Sequence, residues 1–384
     1  MLNFTFQNPT KIIFGKGSIA RLSTVLSKDQ KIMMVTGKGS IKKNGVYDQI
    51  VKTLEGYDMI EFWGIEPNPR YEMCMQAVEK AKAEGVNFLL AAGGGSALDA
   101  TKFIAAAMKW DSGDPWEILS KGATVESAVP LGCVLTLPAT GSEMNANAVI
   151  TRESTKEKFA FISEHVYPEF SILDPATTFT LPERQTVNGI VDAYVHVLEQ
   201  YMTYNVNAPL QDRQAEAILL TLIEEAQRVK ADPHNYDARA NIMWCATQAL
   251  NGTISCGVPQ DWATHIIGHE LTAFFGVDHA QSLAIVLPGL WRHQREQKKE
   301  KLIQYAHRVW GINNLSPEET VDVAIKKTVE FFENIGMRTR LKDYGIKLLD
   351  CRTIVERFEK RGSKIGEHRS IGAKEVDEIL VLCE

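Results

Sequence analysis

The chain reads as an α/β domain with a largely parallel sheet followed by an all-helical domain, and three observations predict this. Before residue 180, short β-rich runs alternate with amphipathic stretches, the pattern that lays helices over a parallel sheet. Several of these runs end in glycine-rich or hydroxyl-rich tips. From L-P-E-R-Q at 181–185 onward the texture changes to long helical periodicity with few strand candidates. The expected domains are 1–180 and 181–384, with no internal repeat or low-complexity linker and with a cleft between them.

The first domain is justified strand by strand. The expected strands are 31–36 (K-I-M-M-V-T), 59–63 (M-I-E-F-W), 87–92 (N-F-L-L-A-A) and 133–137 (C-V-L-T-L). Their carboxyl ends carry T-G-K-G-S, G-I-E-P-N-P, G-G-G-S and P-A-T-G-S-E, and parallel sheets bind small molecules at those ends. The most specific tip is A-A-G-G-G-S-A-L-D. There Gly93, Gly94 and Gly95 leave a buried strand, and Ser96 opens a helix through Asp99 and Lys102. Amides at such a helix start can cradle a pyrophosphate. It is neither G-x-G-x-x-G nor a P-loop, so the ordinary Rossmann and NTPase signatures are absent. Thr136, Thr140 and Ser142 add hydroxyls able to bond phosphate or ribose, although a plain loop with capping residues reads the same way. Residues 147–162 read as a β-hairpin that can carry Lys158 over a cofactor cleft, against the commoner fate of a surface lysine.

In the second domain the expected helices are 182–202, 209–230, 236–255, 262–274, 279–296, 299–309, 317–335, 350–361 and 374–383. One of them carries His265 and His269 at i and i+4, so both imidazoles lean onto one face, and Gly276 breaks it just before His279. Two histidines on a core helix often do no more than hydrogen-bond to backbone. A second segment changes the balance. In G-I-V-D-A-Y-V-H, Asp192 and His196 again stand at i and i+4, amid Ile190, Val191, Val195 and Leu198. An acid and an imidazole on an apolar stripe are costly to bury without a partner, and a divalent cation would supply one. One carboxylate and four imidazoles exceed the four positions of a tetrahedral site, so one of the five is not a ligand. The donors are all nitrogen and oxygen, which suits Zn, Fe, Ni or Co in an open site rather than a closed cysteine site.

Composition excludes several other classes. An apolar fraction of 45% with 23% charged residues is ordinary for a globular protein. A net charge of −6 without a long basic block argues against nucleic acid. The amino terminus lacks a basic n-region followed by an apolar h-region, and no window is apolar enough for a membrane span. A cytoplasmic location without membrane association is therefore expected. The six cysteines include no C-x-x-C pair, so reduced thiols are expected.

Taken together, these residues resemble the iron-containing, metal-dependent alcohol dehydrogenases, whose fold is also that of dehydroquinate synthase and glycerol dehydrogenase. The resemblance rests on N-P-T-K-I-I-F-G-K-G, G-G-G-S-A-L-D, T-L-P-A-T-G-S-E, L-D-P at Asp174, G-I-V-D-A-Y-V-H and the H-x-x-x-H…H segment, and it spans nearly the whole chain. I-E-P-N-P, Q-A-L-N-G and G-V-P-Q-D-W-A-T-H make it most similar to the bacterial NADPH-dependent aldehyde reductases and butanol dehydrogenases. The resemblance implies that Asp192, His196, His265 and His279 bind the metal and that His269 handles a proton or positions substrate. It implies that Gly94, Gly95 and Ser96 hold the pyrophosphate, with Asn68, Asp99, Thr136, Thr140, Ser142 and Lys158 around the rest of the dinucleotide. It also implies a homodimer. Many members have glycine after the last metal histidine where this chain has Ala280, a change that touches only the local turn.

Cofactor choice has its own physical argument. An acid at an early strand tip bonds the 2′-hydroxyl of NAD and repels the 2′-phosphate of NADP. Here the tip is Thr36, Gly37, Lys38, Gly39 and Ser40, with Lys42 and Lys43 close behind and no acid among them, so NADP(H) is expected. The expected reaction is metal-dependent hydride transfer between NADP(H) and aldehydes or primary alcohols. The alternatives are a polyol or sugar-phosphate enzyme of the same fold and a noncatalytic protein stapled by its metal. Trp244, Trp262, Phe274 and Phe275, in the segments around the histidines, favour an apolar aldehyde over a phosphate-bearing substrate. H-I-I-G-H-E does not match the H-E-x-x-H of zinc peptidases.

Overall fold

A computed structural model describes residues 1–384. Its strands are β1 (Lys11–Phe14), β2 (Lys31–Thr36), β3 (Asp58–Phe62), β4 (Phe88–Gly94), β5 (Leu131–Leu137), β6 (Asn147–Arg152), β7 (Glu157–Ile162) and β8 (Phe170–Leu173). The helices of the first half are α1 (Ser40–Lys43), α2 (Val46–Thr53), α3 (Tyr71–Ala83), α4 (Gly95–Met108) and α5 (Glu117–Ser120). Those of the second half are α6 (Glu183–Tyr201), α7 (Pro209–Ala231), α8 (Tyr236–Ala249), α9 (Ala263–Phe275), α10 (His279–His293), α11 (Lys299–Val309), α12 (Pro317–Asn334), α13 (Arg352–Arg361) and α14 (Ala373–Val381). No helix is long and apolar enough to cross a membrane.

The chain forms two compact units. The α/β unit comprises Gln7–Pro182 and Pro233–Thr247, and the helical unit comprises Met1–Phe6, Glu183–Asp232 and Gln248–Glu384. Most of α8 therefore belongs to the α/β unit, where Met243 packs with Ala91, Leu98, Cys133, Leu135 and Leu173.

Six parallel strands run in the order β1-β8-β5-β4-β2-β3, and β6 and β7 form a separate antiparallel hairpin. Both faces of the sheet are covered, which explains its nearly continuous apolar runs. On one face Ile32, Met34, Phe88 and Leu90 pack with Ile41 of α1 and with Val46 and Ile50 of α2. On the other, Met33, Val35 and Leu89 pack with Ala77 and Val78 of α3 and with Ala100 and Phe103 of α4. From β2 the chain adds β3 on one side and then returns to add β4 on the other, so the winding reverses between β2 and β4. Ligands of parallel sheets bind at such a reversal, outside the carboxyl ends of the flanking strands.

The four strands expected from sequence are β2 to β5, and the expected hairpin is β6 with β7. β1 and β8 are additional, and both are only four residues long. Of the expected helices, 236–255 ends early at Ala249, because turns follow and Gly252 adopts a left-handed φ of 91°. The expected 279–296 stops at His293.

In the helical unit, α6 packs against α7 and α10, and α10 also meets α9, α12 and α14. These helices meet through apolar faces: Val191, Val195 and Leu198 of α6 and Leu283, Ile285 and Val286 of α10 are all buried.

Candidate active site

The metal-binding candidates lie on three packed helices. The periodicity of α6 places Asp192 and His196 one turn apart, α9 does the same for His265 and His269, and His279 is the first residue of α10. Gly276, with φ 71°, ends α9 in a left-handed turn. Asp278 and Gln281 then form a capping box that starts α10 and fixes where His279 enters.

One ligand atom each from Asp192, His265 and His279 falls within 4.8 Å of the others. His279 Nε2 is 3.5 Å from Asp192 Oδ1, and His196 Nε2 is 3.7 Å from the same oxygen. Ligands about 2.1 Å from a tetrahedral ion stand about 3.4 Å apart, so this spacing fits a single cation. The rings of His196 and His265 stack with centroids 4.7 Å apart, and His265 and His279 are 5.3 Å apart. His269 lies at the edge, its ring 5.1 Å from that of His279 and 6.4 Å from that of His265. Asp192, His196 and His265 are buried, whereas His269 and His279 are partly open. The structure thus gathers all five sequence candidates, with Asp192, His265 and His279 most tightly drawn together.

Two further residues shape this cluster. Trp262 sits over it, its ring 5.1 Å from His265 and 6.2 Å from His196, on a backbone held at φ 62°. Such a conformation costs a bulky residue about 1–3 kcal/mol and must be held in place by its surroundings. Glu199, unremarked in the sequence, continues the stripe of Asp192 and His196 one turn further along α6. Its Oε1 accepts from the backbone N–H of His265 at 2.9 Å and lies 2.9 Å from Nδ1 of the same residue. Burial, and then the negative charge of Asp261, push the Glu199 carboxyl well above the usual range. Other expected aromatic residues make different contacts. Trp244 packs edge-on against Phe14 in the α/β unit, and Arg357 stacks its guanidinium on Phe274. Of these aromatic side chains, Trp262 is the one whose ring contacts the histidines, and Trp244 lends the apolar-pocket argument no support.

The dinucleotide candidates line the carboxyl edge of the sheet. Gly37, Gly39 and Ser40 lie at the tip of β2, and Gly94, Gly95 and Ser96 join β4 to α4. The helix begins at Gly95, one residue earlier than expected, and its N-cap residue, Gly94, makes no side-chain cap to its first amides. A Cβ on Gly95 would lie 2.5 Å from Thr140, and one on Gly94 would lie 3.0 Å from Leu137. Close packing against the β5 tip therefore requires these glycines, and it also leaves bare backbone that a pyrophosphate can approach.

The remaining candidates form hydrogen-bonded pairs. Ser142 Oγ donates to Asp99 Oδ1 at 2.7 Å, and Val149 N donates to Asp99 Oδ2 at 3.0 Å. Lys158 Nζ donates to Asn68 Oδ1 at 2.9 Å, joining two candidates that lie far apart in sequence. Thr136 is buried in β5, and Thr140 Oγ1 accepts from Ser142 N at 3.2 Å. Lys102, wholly buried in α4, donates to Asn145 O, Asn145 Oδ1 and Asn147 O at 2.8, 3.0 and 2.9 Å. Burial lowers its pKa to about 8, and its three acceptors match the three donors of an ammonium. It therefore ties α4 to the start of β6.

The expectation that no acid stands near the β2 tip needs correction. Gly64 N and Ile65 N donate to Gly37 O and Thr36 O, which draws the loop after β3 alongside that tip. Glu66 thereby comes to lie 2.6 Å from Lys38 Nζ and 2.9 Å from Arg70 Nε. The hydrogen bond from Lys38 holds its carboxyl below the ordinary range, so the added acid arrives already neutralised. Lys42 is engaged elsewhere, its ammonium lying over the rings of Trp63 and Tyr47 at 4.3 and 4.9 Å.

A glycine turn at a parallel-sheet reversal, carried in one chain with a nitrogen-and-oxygen cluster, is the equipment of a metal-dependent dehydrogenase. The chain belongs to the iron-containing alcohol dehydrogenase family: residues 9–175 match the model described as iron-containing alcohol dehydrogenase, and 186–382 match that of the family's C-terminal part. It is 54% identical over 374 residues to the NADPH-dependent aldehyde reductase YqhD of Escherichia coli, covering 97% of each chain. A crystal structure of YqhD superposes with a TM-score of 0.98 at 52% identity, covering 100% of this chain and 99% of that one. The NADP-dependent alcohol dehydrogenase 3 of Entamoeba histolytica is 42% identical over 99% of this chain and 98% of its own length. The NADH-dependent butanol dehydrogenase A of Thermotoga maritima has a TM-score of 0.95 at 38% identity, covering 100% of this chain and 99% of that structure.

Proposed function

We propose that the chain is a metal-dependent aldehyde reductase and alcohol dehydrogenase that transfers hydride between NADP(H) and aldehydes or primary alcohols. The observation that carries this reading is the convergence of Asp192, His265 and His279 within 4.8 Å, the first two of them buried. The names of the YqhD and Entamoeba relatives support both the reaction class and the cofactor.

In the reductive direction an aldehyde, NADPH and a proton give an alcohol and NADP⁺. When bound, the divalent ion supplies a Lewis acid for the carbonyl oxygen, and the nicotinamide supplies the hydride. Asp192, His196, His265 and His279 would hold the ion, and their single carboxylate would leave net positive charge on the site to favour a developing negative oxygen. Trp262 shields the stacked His196 and His265 rings from water. His269 stands one helical turn from His265 at the open edge of the cluster, and its imidazole delivers the proton to the product oxygen, directly or through a water.

The α/β unit holds the dinucleotide. The first amides of α4, at Gly95 and Ser96, receive the pyrophosphate, while Asn68 and Lys158 act as a hydrogen-bonded pair. Asp99 and Ser142 stiffen the loop beyond the glycines, and Thr136 and Thr140 complete that wall. Gly37, Gly39 and Ser40 admit the 2′-phosphate beside Lys38.

The chain is proposed to act as a cytoplasmic homodimer without nucleic-acid or membrane partners. Leu2, Phe4 and Phe6 expose alternate apolar side chains along the amino-terminal segment, a surface that a second copy would cover. Six unbridged cysteines suit a reducing compartment. The test compares NADPH-linked reduction of butanal with oxidation of glycerol by NAD⁺ or NADP⁺. Faster turnover of butanal is expected, and a marked preference for glycerol would replace this reading with the polyol one.

A further inference from the structure

Glu199 is 3% exposed, and one of its oxygens, Oε1, is hydrogen-bonded to both the backbone nitrogen and the Nδ1 of His265. The first donor, the backbone N–H of His265, lies in the first turn of α9, where helical amides have no partner within the helix. With Oε1 as the oxygen of the carboxyl group that bears no proton, it meets the imidazole as an acceptor too, and Nδ1 of His265 then carries the proton. Nε2 is then left with a lone pair for the cluster of Asp192 and His279.

The backbone of Glu199 is itself anchored. Asp261 N donates to the backbone oxygen of Glu199 at 2.9 Å, and Asp261 Oδ1 accepts from Ala263 N at 2.9 Å, which gives α9 a second acidic support at its start. Asp261 Oδ2 accepts from Lys298 Nζ at 2.8 Å. That ammonium, 1% exposed, also reaches Met202 O at 2.7 Å and Glu367 Oε1 at 3.3 Å. A buried ion network therefore fixes the end of α6 against the start of α9.

We propose that Glu199 is a positioning residue for the metal: its Oε1 selects the Nδ1–H tautomer of His265 and aims Nε2 at the site, with Asp261 and Lys298 holding that geometry. The inference rests on the proposed metal role of His265. Outer carboxylates of this kind change metal affinity by about 10–100-fold when removed. A mere helix cap would change folding stability and leave affinity alone.

The test starts from the Zn²⁺-loaded protein and measures metal affinity by chelator competition for wild type, Glu199→Met, Glu199→Gln and His265→Ala. Glu199→Met fills the space without an acceptor and is expected to lose about 10–100-fold in affinity. Glu199→Gln is expected to recover most of that loss, because the His265 amide demands an oxygen at the Oε1 position and the carboxamide provides one. Wild-type affinity in Glu199→Met alongside lost affinity in His265→Ala overturns the inference while leaving the metal site standing. Glu199→Gln as weak as Glu199→Met also overturns it, since charge and not the placed acceptor would then be responsible. Retained affinity in His265→Ala overturns the metal reading on which the inference depends. If Glu199→Met does not fold, ¹⁵N-histidine spectra of the loaded wild-type protein decide. A proton on Nδ1 of His265 is expected, and one on Nε2 contradicts the inference.

Discussion

The Lys38 ammonium lies 2.6 Å from the Glu66 carboxylate, at the tip where the proposed 2′-phosphate would bind. The contact joins the loop after β2 to the loop after β3, and Arg70 completes it at 2.9 Å. Glu66 therefore competes with a phosphate for the same cation. Both side chains are partly exposed, so the pair itself contributes little to stability and its effect falls on binding.

Lys38→Ala is expected to raise the KM for NADPH about tenfold and that for NADH little, which corresponds to the loss of about 1.4 kcal/mol of a charge-assisted contact. Glu66→Gln should act the other way and favour NADPH. Steady-state kinetics with both cofactors checks the pair, and equal changes for NADPH and NADH would remove Lys38 from 2′-phosphate recognition.

Gly95→Ala places a methyl carbon 2.5 Å from Thr140. Overpacking of this kind costs about 1–3 kcal/mol, and here it also moves the amide proposed to meet the pyrophosphate. A lower unfolding midpoint together with weaker NADPH binding is expected. Unchanged NADPH affinity would separate the glycine turn from the cofactor.

His269→Ala should keep its metal and lose about 10²-fold in kcat, with the titration near neutral pH gone from the rate profile. Metal analysis and a pH–rate series test this. An unaltered profile would restrict His269 to shaping the pocket.

Glu143 lies wholly buried beneath the T-G-S-E turn, where its Oε1 accepts from Thr247 Oγ1 at 2.6 Å. Burial is the leading cause that raises its pKa above the ordinary 4.5, opposed first by the Thr247 hydrogen bond. Below that value the acid is protonated in both folded and unfolded chains. As pH rises above it, the unfolded chain releases a proton that the folded chain retains, so stability falls. Glu143→Gln removes this dependence, and its gain in unfolding midpoint over wild type should be larger near about pH 8 than near about pH 5. An equal gain at both values would show that Glu143 stays ionised when folded.

What the sequence conveyed was set by how local each signal is. The run K-I-M-M-V-T ending in T-G identifies β2 on its own, and the i, i+4 pairs Asp192/His196 and His265/His269 can be read directly because a helix turns local spacing into a shared face. K-I-I-F and F-S-I-L are too short to separate from other apolar tetrads, and only their parallel pairing defines β1 and β8. Glu199 carried a weak trace, seven residues beyond Asp192 on the same stripe, but a glutamate before Gln200 reads as a solvated position until α9 packs over it. Glu66 left no trace beside Lys38, since register between neighbouring strands brings those loops together. Trp244 misled for the same reason, because its place in a helix-rich stretch did not reveal that α8 packs on the sheet.

The central claim is that one divalent ion, held by Asp192, His196, His265 and His279, is required for NADPH-linked aldehyde reduction. The direct measurement follows NADPH absorbance on adding butanal to the metal-reconstituted protein, before and after chelation and again after the metal is restored. The account predicts NADPH oxidation that chelation abolishes and metal restores. Oxidation that continues unchanged in the chelated, metal-free protein would contradict it.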